Sequence, residues 1–207
     1  MNADSSTQDW QAPRLAGRHV SLAPLAPEHL QGLRAALEGD ALSRFSYANV
    51  PKAAEAGAWL ESALVRQAQG IEVPFVVRDA SGEIVGSTRF YDMDRTVPRL
   101  NLGYTWYAPR VQRTGLNTEA KLLLLTHAFE TLGCAAVFLK TSWHNHPSRV
   151  AIARLGATHD GVLRNHRRHA DGSLGHTVMF SIVDGEWPAV RSNLRHRLEL
   201  AGHPHDG

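Results

Sequence analysis

The chain has 207 residues, 43% of them apolar and 20% charged, a balance that suits one soluble domain with a sizeable core. Its net charge of +2 is too small to argue for bulk nucleic-acid binding, so no DNA partner is expected. A single cysteine, Cys134, excludes an internal disulfide and most cysteine-based zinc sites, which fits a reducing cytoplasm.

The first residues, "MNADSSTQDWQAP", are polar and acidic and lack the basic start and apolar core of a signal peptide. Residues 1–14 read as a flexible tail, and 15–207 as one domain. No apolar run of about 18 residues occurs, so no membrane span is expected. "RHVSLAPL" (18–25) alternates as a half-buried strand does. "PEHLQGLRAALEG" is a helix with Leu30, Leu33 and Leu37 on one face, and "SRFSYANVP" is a loop. "AAEAGAWLESALVRQAQG" is a second helix, with Trp59, Leu60, Ala63 and Leu64 inward and Gly70 as its C-cap.

"PFVVRD", "ASGE" and "IVGSTRFYDMD" form a hairpin, and "RLNLGYTWYAP" is a third consecutive strand, closed by Pro109. A helix follows over 115–132 and stops at Gly133. "AAVFLKTS" (135–142) is an apolar strand suited to the middle of a sheet. "HNHPSRVAIARLG" is a short helix with Asn145 as N-cap and Pro147 in its first turn. "GVLRNHRRHADGSLGHTVMFSIV" turns as a hairpin at Asp171 and Gly172, and "GEWPAVRSNLRHRL" is a closing helix. Three strands in a row favour an antiparallel stretch. The strand–helix–strand from 99 to 142 is a parallel crossover, so the fold class is a mixed α/β (α+β) sheet of about seven strands with helices on both faces.

The seam "VQRTGLNTEAK" (111–121) joins a strand to a helix. A helix start leaves four N–H groups unpaired and carries partial positive charge, so it suits an anion such as a diphosphate. Gly115 allows positive φ or close approach, Thr114 and Thr118 offer hydroxyls, and Arg113 offers charge. The same residues also read as a plain N-cap turn. Neither GxxxxGK[ST] nor GxGxxG is present, which sets aside a P-loop and a dinucleotide fingerprint.

The seam is similar to the Q/R-x-x-G-x-G/A acetyl-CoA loop of the GNAT superfamily of N-acetyltransferases, at Gln112, Arg113, Thr114, Gly115, Leu116 and Asn117. The wider chain resembles the branch of RimJ and RimL, the ribosomal-protein N-terminal acetyltransferases. The features in order are "GRHVSLAPL", "IVGSTRFYD", "LGYTWYAP", "NTEAKLLLLTHAFETLG", "NHPSRVAIARLGA", "DGVLRNH" and "FSIVDGEWP". Two residues depart from the pattern. Asn117 stands where the superfamily has Gly or Ala, and His176 where this branch often has Asp.

The resemblance implies a mostly antiparallel GNAT sheet whose strands four (100–107 here) and five splay apart around acetyl-CoA. Tyr104, Trp106 and Tyr107 would lend backbone groups to the pantetheine arm, and an N–H near Trp106 would hold the oxyanion. Residues 112–118, Thr118 included, would cradle the pyrophosphate, with Arg149 near a phosphate. Asn145 would bond the pantetheine arm or cap its helix. Ser148 would stand near the sulfur as acid to the thiolate. Phe45, Tyr47, Arg89 and Tyr91 would touch the acceptor, Arg89 and Tyr91 sharing one strand face.

The implied partners are acetyl-CoA and an amine acceptor, on a protein N-terminus or a small molecule, with a homodimer from resemblance alone. The alternatives are a non-catalytic acyl-CoA-binding or interaction domain, or a transferase using succinyl-CoA. The carboxylates Glu83, Asp92 and Asp94 read as solvated turn residues rather than bases, and Cys134 as a poor covalent nucleophile. His144, His146, His166 and His169 lack the carboxylates or thiolates of a metal set, so no metal is expected. The basic stretch 164–169 reads as a solvated strand end or as a contact for an anionic partner.

Overall fold

The computed structural model describes residues 10–39, 50–169 and 171–201. Two of the expected acceptor contacts, Phe45 and Tyr47, lie outside the described residues. The strands are β1 (Leu15–Ala16), β2 (Val20–Pro24), β3 (Glu72–Asp79), β4 (Ile84–Asp94), β5 (Arg99–Tyr107), β6 (Ala136–Ser142), β7 (Thr158–Arg168) and β8 (Leu174–Val183). The helices are α1 (Leu30–Ala36), α2 (Ala56–Ala68), α3 (Gly115–Thr126), α4 (His146–Ala153) and α5 (Trp187–Ala201). The strands form one mixed sheet in the order β1-β2-β3-β4-β5-β6-β8-β7, and only the β5–β6 pair is parallel.

This is the expected architecture with one strand more. The eighth strand is β1, a two-residue ribbon pairing Leu15 with Leu22 and Ala16 with Ser21. It is too short to show a period of two. Its turn is held from far along the chain, because the Glu119 carboxylate accepts from the backbone N–H groups of Arg18 (2.8 Å) and His19 (2.5 Å). Strands four and five of the sequence reading are therefore β5 and β6.

Alternation along β4 assigns the faces. Phe90 meets Phe75 edge-on, with ring centres 5.4 Å apart, and stacks on His127 at the end of α3. Its neighbour Arg89 lies instead against Trp59 of α2. So α2 covers one face of the sheet and α3 the other. The helix expected over 115–132 is α3 followed by a π-helical turn, His127–Thr131, and Gly133 ends it at φ 65°. Helix α5 packs beside α3, with Leu194 fully buried. No helix among the described residues is long and apolar enough to cross a membrane.

Where β4 and β5 cross most closely, a Cβ on Gly86 would run into the backbone carbonyl of Trp106. A carbonyl in a sheet cannot rotate away. Gly86→Ala should therefore lower stability by about 1–3 kcal/mol through overpacking, read as a shift in the urea midpoint.

Candidate active site

Strands β5 and β6 pair at three positions only, Arg99↔Ala136, Leu100↔Val137 and Asn101↔Phe138. Past that point β6 runs with β8 as far as Ser142↔Thr177, and β5 stays with β4 as far as Gly86↔Tyr107. The two strands separate, and from Leu102 onward the β6-facing edge of β5 has no ladder partner among the described residues. Backbone donors and acceptors on such an edge need partners from outside the sheet.

At the same place β5 carries a bulge. Ser87 pairs with Trp106 and Arg89 with Gly103, so Tyr104 and Thr105 together face Thr88 alone. Tyr104 has φ 50°, a left-handed conformation that a non-glycine residue adopts at a cost of roughly 1 kcal/mol. The bulge sends its two side chains to opposite faces. Thr105 reaches the α3 side, where its Oγ1 lies 2.7 Å from Thr88 Oγ1 and accepts from Lys121 Nζ at 2.9 Å. Lys121 is buried, and burial brings its pKa down to about 7. The lysine braces the bulge from beneath. It stands in the buried stripe Leu116, Ala120, Leu124, Leu125 of α3, so a charged residue at an apolar period was visible in the sequence.

Tyr104 turns to the α2 side. Its ring meets Tyr91 at 4.9 Å and lies 4.8 Å from the Arg89 guanidinium, which is also 5.2 Å from the Trp59 ring. Trp106 meets Trp59 edge-on at 6.2 Å. Arg89 Nη1 donates to Glu72 Oε2 at 2.5 Å, and both side chains are buried. Arg89 and Tyr91 thus share one face, as expected. Trp59, Glu72 and Lys121 complete the surroundings and were not anticipated. Burial and Tyr104 raise the pKa of the Tyr91 phenol, so it remains protonated at neutral pH.

The seam follows β5 through a short 3-10 turn, Pro109–Val111. Gln112 Nε2 donates to the carbonyl of Tyr107 at 3.0 Å, which ties the loop to the end of the strand. Thr114 caps α3: its Oγ1 accepts from Leu116 N at 3.3 Å and donates to Val111 O at 2.8 Å. The side chains of Gln112 and Thr114 shape the loop from within. One expectation needs correction. The positive φ belongs to Arg113 (63°), whereas Gly115 is ordinary helix. A Cβ on Gly115 would make normal contacts with His19 (3.4 Å) and Leu198 (3.6 Å), so its side-chain direction faces β2 and α5. The N–H groups of Gly115 and Asn117 lie in the first turn of α3, which begins shortly after the end of β5 and beside the exposed Arg113.

At the start of α4, Asn145 Oδ1 accepts from Ser148 N at 3.2 Å. Asn145 is the N-cap its position suggested, and Ser148 lies half-buried in the first turn. Arg149 is committed locally: its guanidinium lies 4.5 Å from the Trp143 ring and donates to Trp143 O. Cys134 is 2% exposed and its thiol is pushed up to about 12 by burial, which removes it as a nucleophile. Asp94 holds its turn through Thr96 and Val97, Glu83 pairs with Arg110, and Asp92 with Lys140. His176 Nδ1 accepts from Asn165 N at 2.9 Å, so it braces a left-handed residue of β7 (φ 50°). Among the described residues, no three His, Cys, Asp or Glu lie close enough to hold a metal ion.

Residues 19–158 match the acetyltransferase (GNAT) domain family. One crystal structure, assigned as an acetyltransferase, is 35% identical and superposes with a TM-score of 0.83 over 94% of this chain and 100% of that one. A GCN5-related N-acetyltransferase from Brucella melitensis is 28% identical, with TM-score 0.84 over 96% and 91% of the two chains. RimJ of Mycobacterium smegmatis, solved with CoA-disulfide, shares the fold at 19% identity and TM-score 0.73, over 90% and 93%. No curated protein matches the sequence. The chain belongs to the GNAT acetyltransferase family.

Proposed function

We propose that the chain is an acetyl-CoA-dependent N-acetyltransferase of one domain, 15–207, working in the cytoplasm on a primary amine in a ternary complex. The observation that carries this reading is the unpaired edge of β5 from Leu102 onward, with the N-terminus of α3 opening at the same end. That edge suits the amides of a pantetheine arm, and the helix start suits a pyrophosphate. A bound acetyl-CoA supplies the activated acyl group as a thioester.

The chain's own residues then do the rest. The N–H groups of Gly115 and Asn117, with Arg113, hold the diphosphate. The Trp106 carbonyl faces Gly86 of β4, so backbone groups of Tyr104 and Tyr107 align the arm, and an N–H next to Trp106 stabilises the charge that develops on the acyl oxygen. Ser148 returns a proton to the departing sulfur. No strong base is needed for an α-amine, whose pKa is about 8, whereas a lysine side chain near 10.4 would need one. An N-terminal amine or a small-molecule amine of similar basicity is therefore the favoured acceptor, in line with the RimJ/RimL-like features of the sequence.

The test uses Asn117→Asp, since the Gly115 side-chain direction leaves the nest. A carboxylate in the first turn suits the helix dipole, so the variant should fold with an undiminished thermal midpoint. It should repel the diphosphate and weaken acetyl-CoA binding about tenfold or more, measured by calorimetry against the wild type. Folded wild-type protein that does not bind acetyl-CoA would remove the reading.

A further inference from the structure

The α2-facing side of the sheet contains a buried cation whose hydrogen bonds are incomplete. Arg89 is 5% exposed, and among the described residues only Glu72 engages its guanidinium in a hydrogen bond, at Nη1. Its Nε and Nη2 have no partner among them. Those two N–H groups lie along one edge of the guanidinium and form the side-on fork that takes a carboxylate bidentately. The rings of Trp59 and Tyr104, at 5.2 and 4.8 Å, hold the plane of the fork. Buried charged donors are rarely left unpaired in folded proteins, because losing their water is costly.

A second incomplete group shares this face. Asn101 is 5% exposed, and among the described residues its Oδ1 has no partner although its Nδ2 reaches Asp92 at 3.4 Å. It pairs with Tyr91, two residues along β4 from Arg89, and its pairing with Phe138 is the last before β5 and β6 part. Diagonal same-face neighbours in a sheet stand about 7–8 Å apart.

We infer that the acceptor carries a carboxylate close to its amine, as an amino acid does, with the carboxylate on the Nε/Nη2 fork of Arg89 and an amine N–H on Asn101 Oδ1. This rests on the acetyl-CoA reading above. An acyl donor ending in a carboxylate would use the fork too, but would bring no N–H for Asn101, which favours the acceptor as the source.

The test is calorimetry on the full chain saturated with CoA, titrated with the protein amino acids and, for each, its α-amide. Acetyl-CoA and succinyl-CoA are titrated separately. At least one amino acid should bind ten- to a hundredfold more tightly than its amide, the range expected of hydrogen bonds to a charged group. That ratio should fall to near one in Arg89→Lys, which keeps a cation opposite Glu72 but has no fork, while acetyl-CoA affinity is unchanged. Asn101→Leu leaves the ion pair intact and should weaken the same amino acid about tenfold, which keeps the test decisive if Arg89→Lys folds poorly. Equal binding of acids and amides across the set, or a preference that survives Arg89→Lys, overturns the proposal. An Arg89-dependent preference for succinyl-CoA with none among the amino acids overturns the acceptor assignment and gives the carboxylate to the donor. Wild type that binds no acetyl-CoA removes the cofactor reading and this proposal together, whereas failure of the fork alone leaves acetyl-CoA binding in place.

Discussion

Glu72→Gln should destabilise the fold by about 3–5 kcal/mol, the largest loss expected of any single substitution at this site. Glu72 and Arg89 face each other with side chains 4% and 6% exposed. Removing the carboxylate leaves a guanidinium in a dry setting with no anion to offset its desolvation. The second contact of Glu72, to Arg66 at 3.4 Å, adds little, because Arg66 is 52% exposed and screened by water. The double variant Glu72→Gln/Arg89→Met should recover much of the loss, since the buried charge goes with its partner. Urea unfolding of both variants and of Arg89→Met closes the cycle. Additive losses would show that the two charges do not depend on each other.

Stability should also rise with pH through the Lys121 amine. In the folded chain burial brings its pKa down to about 7, whereas the unfolded chain titrates it near 10.5. Between those values the unfolded state holds one more proton than the folded state. Folding stability therefore increases with pH in that window, by about 1.4 kcal/mol per pH unit from this one group. Below about 7 both states hold the proton, and the term is constant at its least favourable. Lys121→Met removes the term and, with it, the bond to Thr105, worth about 1 kcal/mol. The variant should exceed the wild type most at pH 6, with the gap closing towards pH 10. Denaturant midpoints at pH 6, 8 and 10 give the two curves, and parallel curves would show that Lys121 does not titrate in this window. The comparison with one variant cancels the lowered pKa values of His29 and His127, which both proteins share.

Much of the frame was legible in the chain. The apolar repeat of Trp59, Leu60, Ala63 and Leu64 marked the inward face of α2, and period two put Arg89 beside Tyr91. Asn145 and Pro147 marked the start of α4. These signals are local: each arises from a residue and its neighbours within one turn or one pleat. The short ribbon β1 escaped because its stability comes from Glu119, about a hundred residues away. The same holds at the seam. Its residue types announced a helix start, but the division of labour among them depended on where each side chain found a partner. Gln112 found Tyr107, Thr114 found Val111, and Arg113 took the left-handed turn expected of Gly115.

By itself the sequence determined the order of the helices and of every strand but β1, the position of the helix start expected to take an anion, and the GNAT resemblance, because periodicity, caps and motif spacing are properties of short stretches. Only the tertiary structure decided that β5 and β6 part after Asn101, that the bulge sends Tyr104 and Thr105 to opposite faces, and that Glu72 meets Arg89 across the sheet. Those facts arise from pairing between residues 14 or more positions apart. Burial and strand register, which no single stretch encodes, set the charge and direction of each group.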